Sequence, residues 1–222
     1  MGVSFDLVMF DLDGTLVETA CEICDAVNDT LMQFELPQVS LPQVTDWIGK
    51  GTRELLVLAL STSTQTSAEV VRASDSLGAM TVAFDAHYHQ RCGTRSRLYP
   101  QVLHTLEVLH KRGVKLAVVT NKESRFTRKV LDAHQLTGWF NAVVSGDTFA
   151  AKKPHPEGIE SCLKKFGVER QRALFVGDSS IDVAAARNAG VTVWVLPYGY
   201  NMGQPMDASM ADRVIADCSE LL

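Results

Sequence analysis

From Tyr99 to Leu196 the chain alternates short apolar runs with stretches of helical spacing, and this alternation restricts the fold more than any other feature. The pattern predicts a helix over 101–111 that ends at Gly113, then a strand over 114–119 and a helix over 124–134. A short strand over 142–145, a helix over 156–166, a strand over 173–176, a helix over 181–188 and a strand over 191–196 follow. Strand–helix alternation of this kind builds βαβ units, hence a parallel sheet covered by helices on both faces. The expected core is a doubly wound parallel-sheet (Rossmann-like) α/β fold.

An earlier strand precedes this series. Phe5-Asp6-Leu7-Val8-Met9-Phe10 suits a strand buried on both faces of such a sheet. It ends in Asp11-Leu12-Asp13-Gly14-Thr15. In open α/β sheets ligands bind beyond the carboxyl ends of the strands, where Asp11 and Asp13 would stand. Two carboxylates about 4 Å apart repel by roughly 4 kcal/mol at an effective dielectric near 20. A cation is therefore expected between them, and an oxygen-rich site suits Mg²⁺. Read alone, Asp13-Gly14 is compatible with an ordinary turn.

Between this strand and the alternating series the character changes. Ile23, Val27, Leu31 and Phe34 recur at helical spacing. Leu55 to Leu60 suggests a second helix and Val70 to Tyr88 a third, with the polar stretch Ser61 to Ser67 as a link. The segment reads as an all-helical cap over residues 17–92, inserted into a discontinuous core of residues 1–16 and 93–222.

At 222 residues the chain is long enough for a core of this size and a smaller insertion. The net charge of −5 argues against nucleic acid as a partner, although a small anion could be held where cations converge. No apolar run approaches the roughly 18 residues that would span a membrane, and the start lacks a secretory pattern. A cytoplasmic protein with no membrane or nucleic-acid partner is expected. The five cysteines are scattered, and Cys21-Glu22-Ile23-Cys24 lies in a helical pattern with no second pair, so they read as apolar fillers.

Three more polar groups follow strand ends or helix-preceding loops. They are Thr120-Asn121, Lys152-Lys153-Pro154 and Gly177-Asp178-Ser179-Ser180-Ile181-Asp182. Separately, these read as a helix cap, a solvated loop and a helix start. In a parallel sheet they share an edge with Asp11 and Asp13, and Asp182 lies one helical turn beyond Asp178. Carboxylates, a hydroxyl, an amide and an ammonium together meet the needs of phosphoryl transfer.

In order and spacing, these four segments resemble those of the haloacid dehalogenase-like hydrolases. The resemblance implies that Asp11 is the nucleophile and becomes an aspartyl phosphate. Asp13 would then protonate the leaving oxygen and later activate water. It further implies that Thr120, Asn121 and Lys153 bind the phosphoryl group, and that Mg²⁺ is held by Asp11, the Asp13 carbonyl and Asp178, with Asp182 close behind. Within the superfamily the chain looks most like the phosphoglycolate phosphatase family. That likeness rests on Trp47-Ile48-Gly49-Lys50-Gly51, Leu98-Tyr99-Pro100, Thr120-Asn121-Lys122, Lys152-Lys153-Pro154-His155-Pro156 and Leu196-Pro197-Tyr198-Gly199-Tyr200-Asn201. The chain departs from the family pattern at Glu18-Thr19, where Asp-Ser is usual, at Glu123, where proline is common, and at Lys50, where Asn is usual.

The expected activity is hydrolysis of a small phosphate monoester, 2-phosphoglycolate foremost, by a Mg²⁺-dependent phosphatase acting as a monomer or homodimer. Alternatives are a phosphatase of another small phosphorylated metabolite, a phosphomutase of the same superfamily, or a phosphoacceptor signalling domain. Asp13 speaks against the last, because it supplies an intrinsic means of hydrolysis. In the cap, Gly49 and Lys50 have two readings. Either the glycines let the backbone approach the substrate and Lys50 meets a substrate carboxylate, or Gly49 and Gly51 punctuate two helices and Lys50 is solvated.

Overall fold

The computed structural model describes residues 5–222, so the first four residues of the expected 1–16 segment lie outside it. The elements, in chain order, begin with β1 (Leu7–Phe10), β2 (Val17–Glu18) and the helices α1 (Ala20–Gln33), α2 (Leu41–Trp47), α3 (Thr52–Thr64), α4 (Ala68–Arg72) and α5 (Ser76–Arg91). The core resumes with β3 (Arg97–Leu98), α6 (Val102–Lys111), β4 (Lys115–Val119), α7 (Ser124–Ala133), β5 (Ala142–Val144) and α8 (Glu157–Phe166). It closes with β6 (Ala173–Gly177), α9 (Ser180–Ala189), β7 (Thr192–Val195) and β8 (Arg213–Val214).

Six strands form one parallel sheet in the order β5-β4-β1-β6-β7-β8. The central strand β1 is buried along its whole length. Its residues alternate between faces, as a pleated strand requires. Leu7 and Met9 join Phe175, Val193, Ile159 and Ala186 in one apolar layer under α8 and α9. Val8 and Phe10 join Leu116, Val118, Leu106 and Phe126 in the other. Phe10 is in register with Val118 on β4 and with Val176 on β6. The three strands therefore end together, and the chain crosses to opposite sides of β1 at this point, where such sheets open a crevice.

The chain passes between core and cap through a two-stranded antiparallel ribbon, with Val17 opposite Leu98 and Glu18 opposite Arg97. The expected helical cap thus also contains a short strand. Glu22 braces the returning segment from α1. Fully buried, its Oε2 accepts the backbone N–H groups of Gly93 (2.9 Å), Ser96 (3.0 Å) and Arg95 (3.3 Å).

The structure corrects three sequence expectations in the cap. The single helix expected over 70–88 is two helices, α4 and α5, broken at Ala73–Asp75. The link expected over 61–67 is shorter, because α3 runs to Thr64 and its C-cap Gln65 is left-handed. Helix α2 was not expected at all. Its N-terminus is fixed by a capping box, in which Ser40 Oγ accepts from Gln43 N and Gln43 Oε1 accepts from Ser40 N. The cysteines are unpaired, and no helix among the described residues is long and apolar enough to cross a membrane.

Candidate active site

The site lies at the carboxyl edge of the sheet, beneath the cap. Asp11 is the first residue after β1, and its N–H donates to Val176 O at 2.9 Å, which fixes it between β1 and β6. The turn that follows is held by Leu12 O, which accepts from Leu16 N and Val17 N at 3.0 Å each. Gly14 turns the chain at φ +90°, and a Cβ there would stand 2.4 Å from Asp178 Oδ2. Gly199 approaches from the other side, where a Cβ would fall 2.2 Å from the same oxygen. Both positions require glycine because backbone packs directly against the Asp178 carboxylate.

Asp178 follows β6 and is buried. Its Oδ1 accepts from Thr15 Oγ1 at 2.6 Å and its Oδ2 from Tyr200 N at 2.8 Å. Asp182, completely buried in the first turn of α9, has a different task. Its Oδ2 accepts from Asp178 N, Ser179 N and Ser179 Oγ, and its Oδ1 accepts from Lys153 Nζ at 2.6 Å. Lys153 also stands 2.8 Å from Asp11 Oδ1, so one ammonium bridges the nucleophile strand and α9. Burial works against the charge on Lys153, but Asp11 and Asp182 outweigh it and hold its pKa above the ordinary ammonium value.

Oxygens of Asp11, Asp178 and Asp182 lie within 4.8 Å of one another. Asp11 Oδ1 is buried with no aligned hydrogen bond, Lys153 being its ionic neighbour only. Burial raises Asp11 to about 6, with Lys153 opposing the shift and Asp182 adding to it. Burial, then Asp182 and Asp11, also push Asp178 well above the carboxylate range. Three carboxylates drawn this close supply hard, anionic oxygen donors that fit a divalent cation such as Mg²⁺. The Asp13 side chain is outside this trio. Its Oδ1 accepts from Thr19 Oγ1 at 2.8 Å, and Lys122 Nζ donates to both of its oxygens at 3.0 and 3.1 Å. Thr19 therefore keeps the hydroxyl that serine offers in the usual family pattern.

Thr120 and Asn121 follow β4 and are both buried. Thr120 Oγ1 accepts from Lys122 N at 3.3 Å, which leaves its proton for another acceptor. Asn121 uses its amide on the protein itself. Its Oδ1 accepts from Lys153 N at 2.9 Å, and its Nδ2 donates to Lys153 O at 3.0 Å and to Gly49 O at 3.1 Å. Asn121 lines the cavity, as a substrate contact would require, and its amide also places the Lys153 loop and clasps the cap to the core.

The cavity above these residues is walled by the apolar side chains of Ile23, Trp47, Ile48, Leu55 and Phe84 from the cap. Gly49 lines it, but Lys50 is exposed and is not brought to the lining. The second reading of this loop, with Lys50 solvated, matches its position. Lys122 and Tyr88 do line the cavity and were not singled out from the sequence. Lys122 Nζ donates to Tyr88 Oη at 2.6 Å, which joins the core to α5. Lys122 was legible only as the residue after Thr120-Asn121, and Tyr88 gave no signal beyond its helical spacing.

Residues 8–196 match the family model of the haloacid dehalogenase-like hydrolases. The chain belongs to that family. It is 40% identical over 220 residues to the phosphoglycolate phosphatase of Aliivibrio fischeri, covering 97% of this chain and 94% of that one. It is 39% identical over 222 residues to the phosphoglycolate phosphatase of Haemophilus influenzae, covering 100% and 99%. Among solved structures, a predicted phosphoglycolate phosphatase from Haemophilus somnus 129PT superimposes with a TM-score of 0.90 at 35% identity, covering 98% of this chain and 96% of that one.

Proposed function

We propose that the protein is a Mg²⁺-dependent phosphatase that hydrolyses 2-phosphoglycolate to glycolate and phosphate through a phosphorylated Asp11. The observation that carries this reading is the pairing of two carboxylates in different surroundings. Asp11 is braced by Lys153 within the acidic trio, while Asp13 faces the cap with Thr19 and Lys122. A nucleophile and a separate proton donor are what a two-step displacement needs.

In the first step an Asp11 oxygen bonds to phosphorus while the bond from phosphorus to the bridging oxygen breaks. Asp13 gives its proton to that leaving oxygen. In the second step Asp13 takes a proton from water, whose oxygen attacks the phosphorus and returns Asp11 as a carboxylate. The Lys153 ammonium and the Thr120 hydroxyl meet the phosphoryl oxygens, and Asp182 holds Lys153 in place for this. Mg²⁺, when bound by Asp11, Asp178 and the Asp13 carbonyl with Asp182 behind, offsets the repulsion between nucleophile and phosphate. The apolar cap wall keeps bulk water from the reacting centre and favours small leaving groups. The names of the relatives support the choice of substrate.

The test is the pure protein with Mg²⁺ against a panel of small phosphate esters, following free phosphate and isomerised product separately. Fastest release of phosphate from 2-phosphoglycolate is expected, with none from Asp11→Asn. An isomerised ester without free phosphate would identify a phosphomutase, and turnover by Asp11→Asn near the wild-type rate would remove Asp11 as nucleophile.

A further inference from the structure

A phosphorylated hydroxy acid carries a carboxylate as well as a phosphate, and that carboxylate needs a receptor. Lys50 is exposed and away from the lining. Among the described residues the cavity is lined by two ammonium groups, Lys153 and Lys122. Lys153 is committed to the phosphoryl end by Asp11 and Asp182. Lys122 stands on Asp13, with a side chain only 4% exposed.

We infer that Lys122 receives the substrate carboxylate and so selects esters whose carboxyl carbon lies two bonds from the bridging oxygen. This rests on the phosphatase reading, in which Asp13 meets that oxygen. In such an ester one carbon separates the bridging oxygen from the carboxyl carbon. With bonds near 1.5 Å, the two lie about 2.4 Å apart. A carboxylate so close to the oxygen that Asp13 protonates must fall beside Asp13, where the ammonium already is. An ester with one more methylene carries its carboxylate past this point.

Donor arithmetic shows what this requires. An ammonium has three N–H groups. On Lys122 two face Asp13 and one faces Tyr88 Oη. Receiving a substrate carboxylate means turning donors away from Asp13, which keeps the Thr19 hydroxyl on Oδ1. Ile23, Trp47, Ile48, Leu55 and Phe84 make the surroundings poor in water, so a charge pair counts for more here than at the surface.

The experiment compares kcat/KM for 2-phosphoglycolate, ethyl phosphate and 3-phosphooxypropanoate in wild type, Lys122→Met, Lys122→Gln and Lys122→Arg, all with Mg²⁺. Ethyl phosphate lacks the carboxylate, and 3-phosphooxypropanoate sets it one carbon further away. The wild type should prefer 2-phosphoglycolate to both. Met and Gln should each reduce its preference over ethyl phosphate by about 30-fold or more, the scale of truncating one partner of a desolvated charge pair, and Arg should retain most of it. If Met does not fold, Gln decides, and the wild-type comparison with 3-phosphooxypropanoate needs no variant. Absolute rates that fall while the preference stays constant would show that Lys122 serves Asp13 alone, and would overturn the inference without touching the phosphatase reading. A wild type that hydrolyses 3-phosphooxypropanoate as fast as 2-phosphoglycolate would also overturn it. A wild type that releases no phosphate from any ester would instead overturn the phosphatase reading beneath it.

Discussion

Lys153 and Asp182 form a buried ion pair with Nζ 2.6 Å from Oδ1, and neither side chain is more than 5% exposed. The partner residues sit on a loop and on a helix start, so the pair joins two elements that sequence order keeps 29 residues apart. Asp182→Asn keeps the shape and removes the charge. Its NH2 would face the donors at Asp178 N and Ser179 N in one flip and the Lys153 ammonium in the other. The expected loss is about 3 kcal/mol, the low end for breaking a buried pair, because Asp11 remains beside Lys153. Urea unfolding of the metal-free protein measures it, and a loss below about 1 kcal/mol, typical of an exposed pair, would contradict the bracing role.

The acidic trio predicts opposite pH trends for the metal-free and metal-loaded protein. Burial pushes Asp11 up to about 6 in the fold from its ordinary value of 3.8, and Asp178 is raised as well. Between those values the folded protein holds a proton that the unfolded chain has lost. These groups therefore make the metal-free protein less stable as pH rises through that window. Metal binding needs the carboxylates deprotonated, so Mg²⁺ should bind more tightly as pH rises through about 6. Thermal melts with and without Mg²⁺ at pH 5 and pH 7.5 should show the larger stabilisation at pH 7.5. An equal shift at both would mean that protons and metal do not compete for these groups.

Much of this site could be read before the fold was seen, because the parallel sheet brings strand ends together whatever the loops do. Asp11, Asp178 and Thr120 each follow a buried apolar run, and that position alone put them on one edge. Side-chain pairing was less legible. Asp182 was expected close behind the metal ligands, but its partners, Lys153 and the turn at Asp178–Ser179, could not be read from spacing. Lys122 depended on Tyr88 being 34 residues earlier in a cap helix, a contact that no local pattern encodes. Strand β8 has only two residues, one of them Arg213, too short for a period to show. Helix α2 was legible in principle, since Ser40 and Gln43 have capping-box spacing and Pro42 falls in the first turn, but at seven residues it is too short for a helical period to show.

Lys50 tests the geometry of the cap by its irrelevance. It is exposed and is not among the cavity-lining residues. Lys50→Ala should leave KM for 2-phosphoglycolate and for nitrophenyl phosphate within about two-fold of wild type, as for a surface change worth no more than 0.5 kcal/mol. A rise in KM confined to 2-phosphoglycolate would mean that the cap moves Lys50 onto the substrate during turnover.

Asn121 predicts a coupled loss of stability and of substrate binding. Its amide donates to the carbonyls of Lys153 and Gly49 and accepts from Lys153 N, so one side chain fixes the catalytic loop and the cap edge together. Gly146 packs so closely on the Asn121 backbone that a Cβ there would stand 2.1 Å from Asn121 O, which leaves this segment little room to adjust. Asn121→Asp is nearly isosteric. It still accepts from Lys153 N, but it turns a donor into an oxygen facing two carbonyls. One buried and one part-buried carbonyl then lose their partner, a cost of about 2–4 kcal/mol. It also places a negative charge near the phosphoryl pocket, so KM should rise more than kcat falls. Urea unfolding and steady-state kinetics on the same preparation measure both effects. A variant with lowered stability and unchanged KM would restrict Asn121 to holding the loop, and one with raised KM and unchanged stability would return it to the substrate-contact role expected from the sequence.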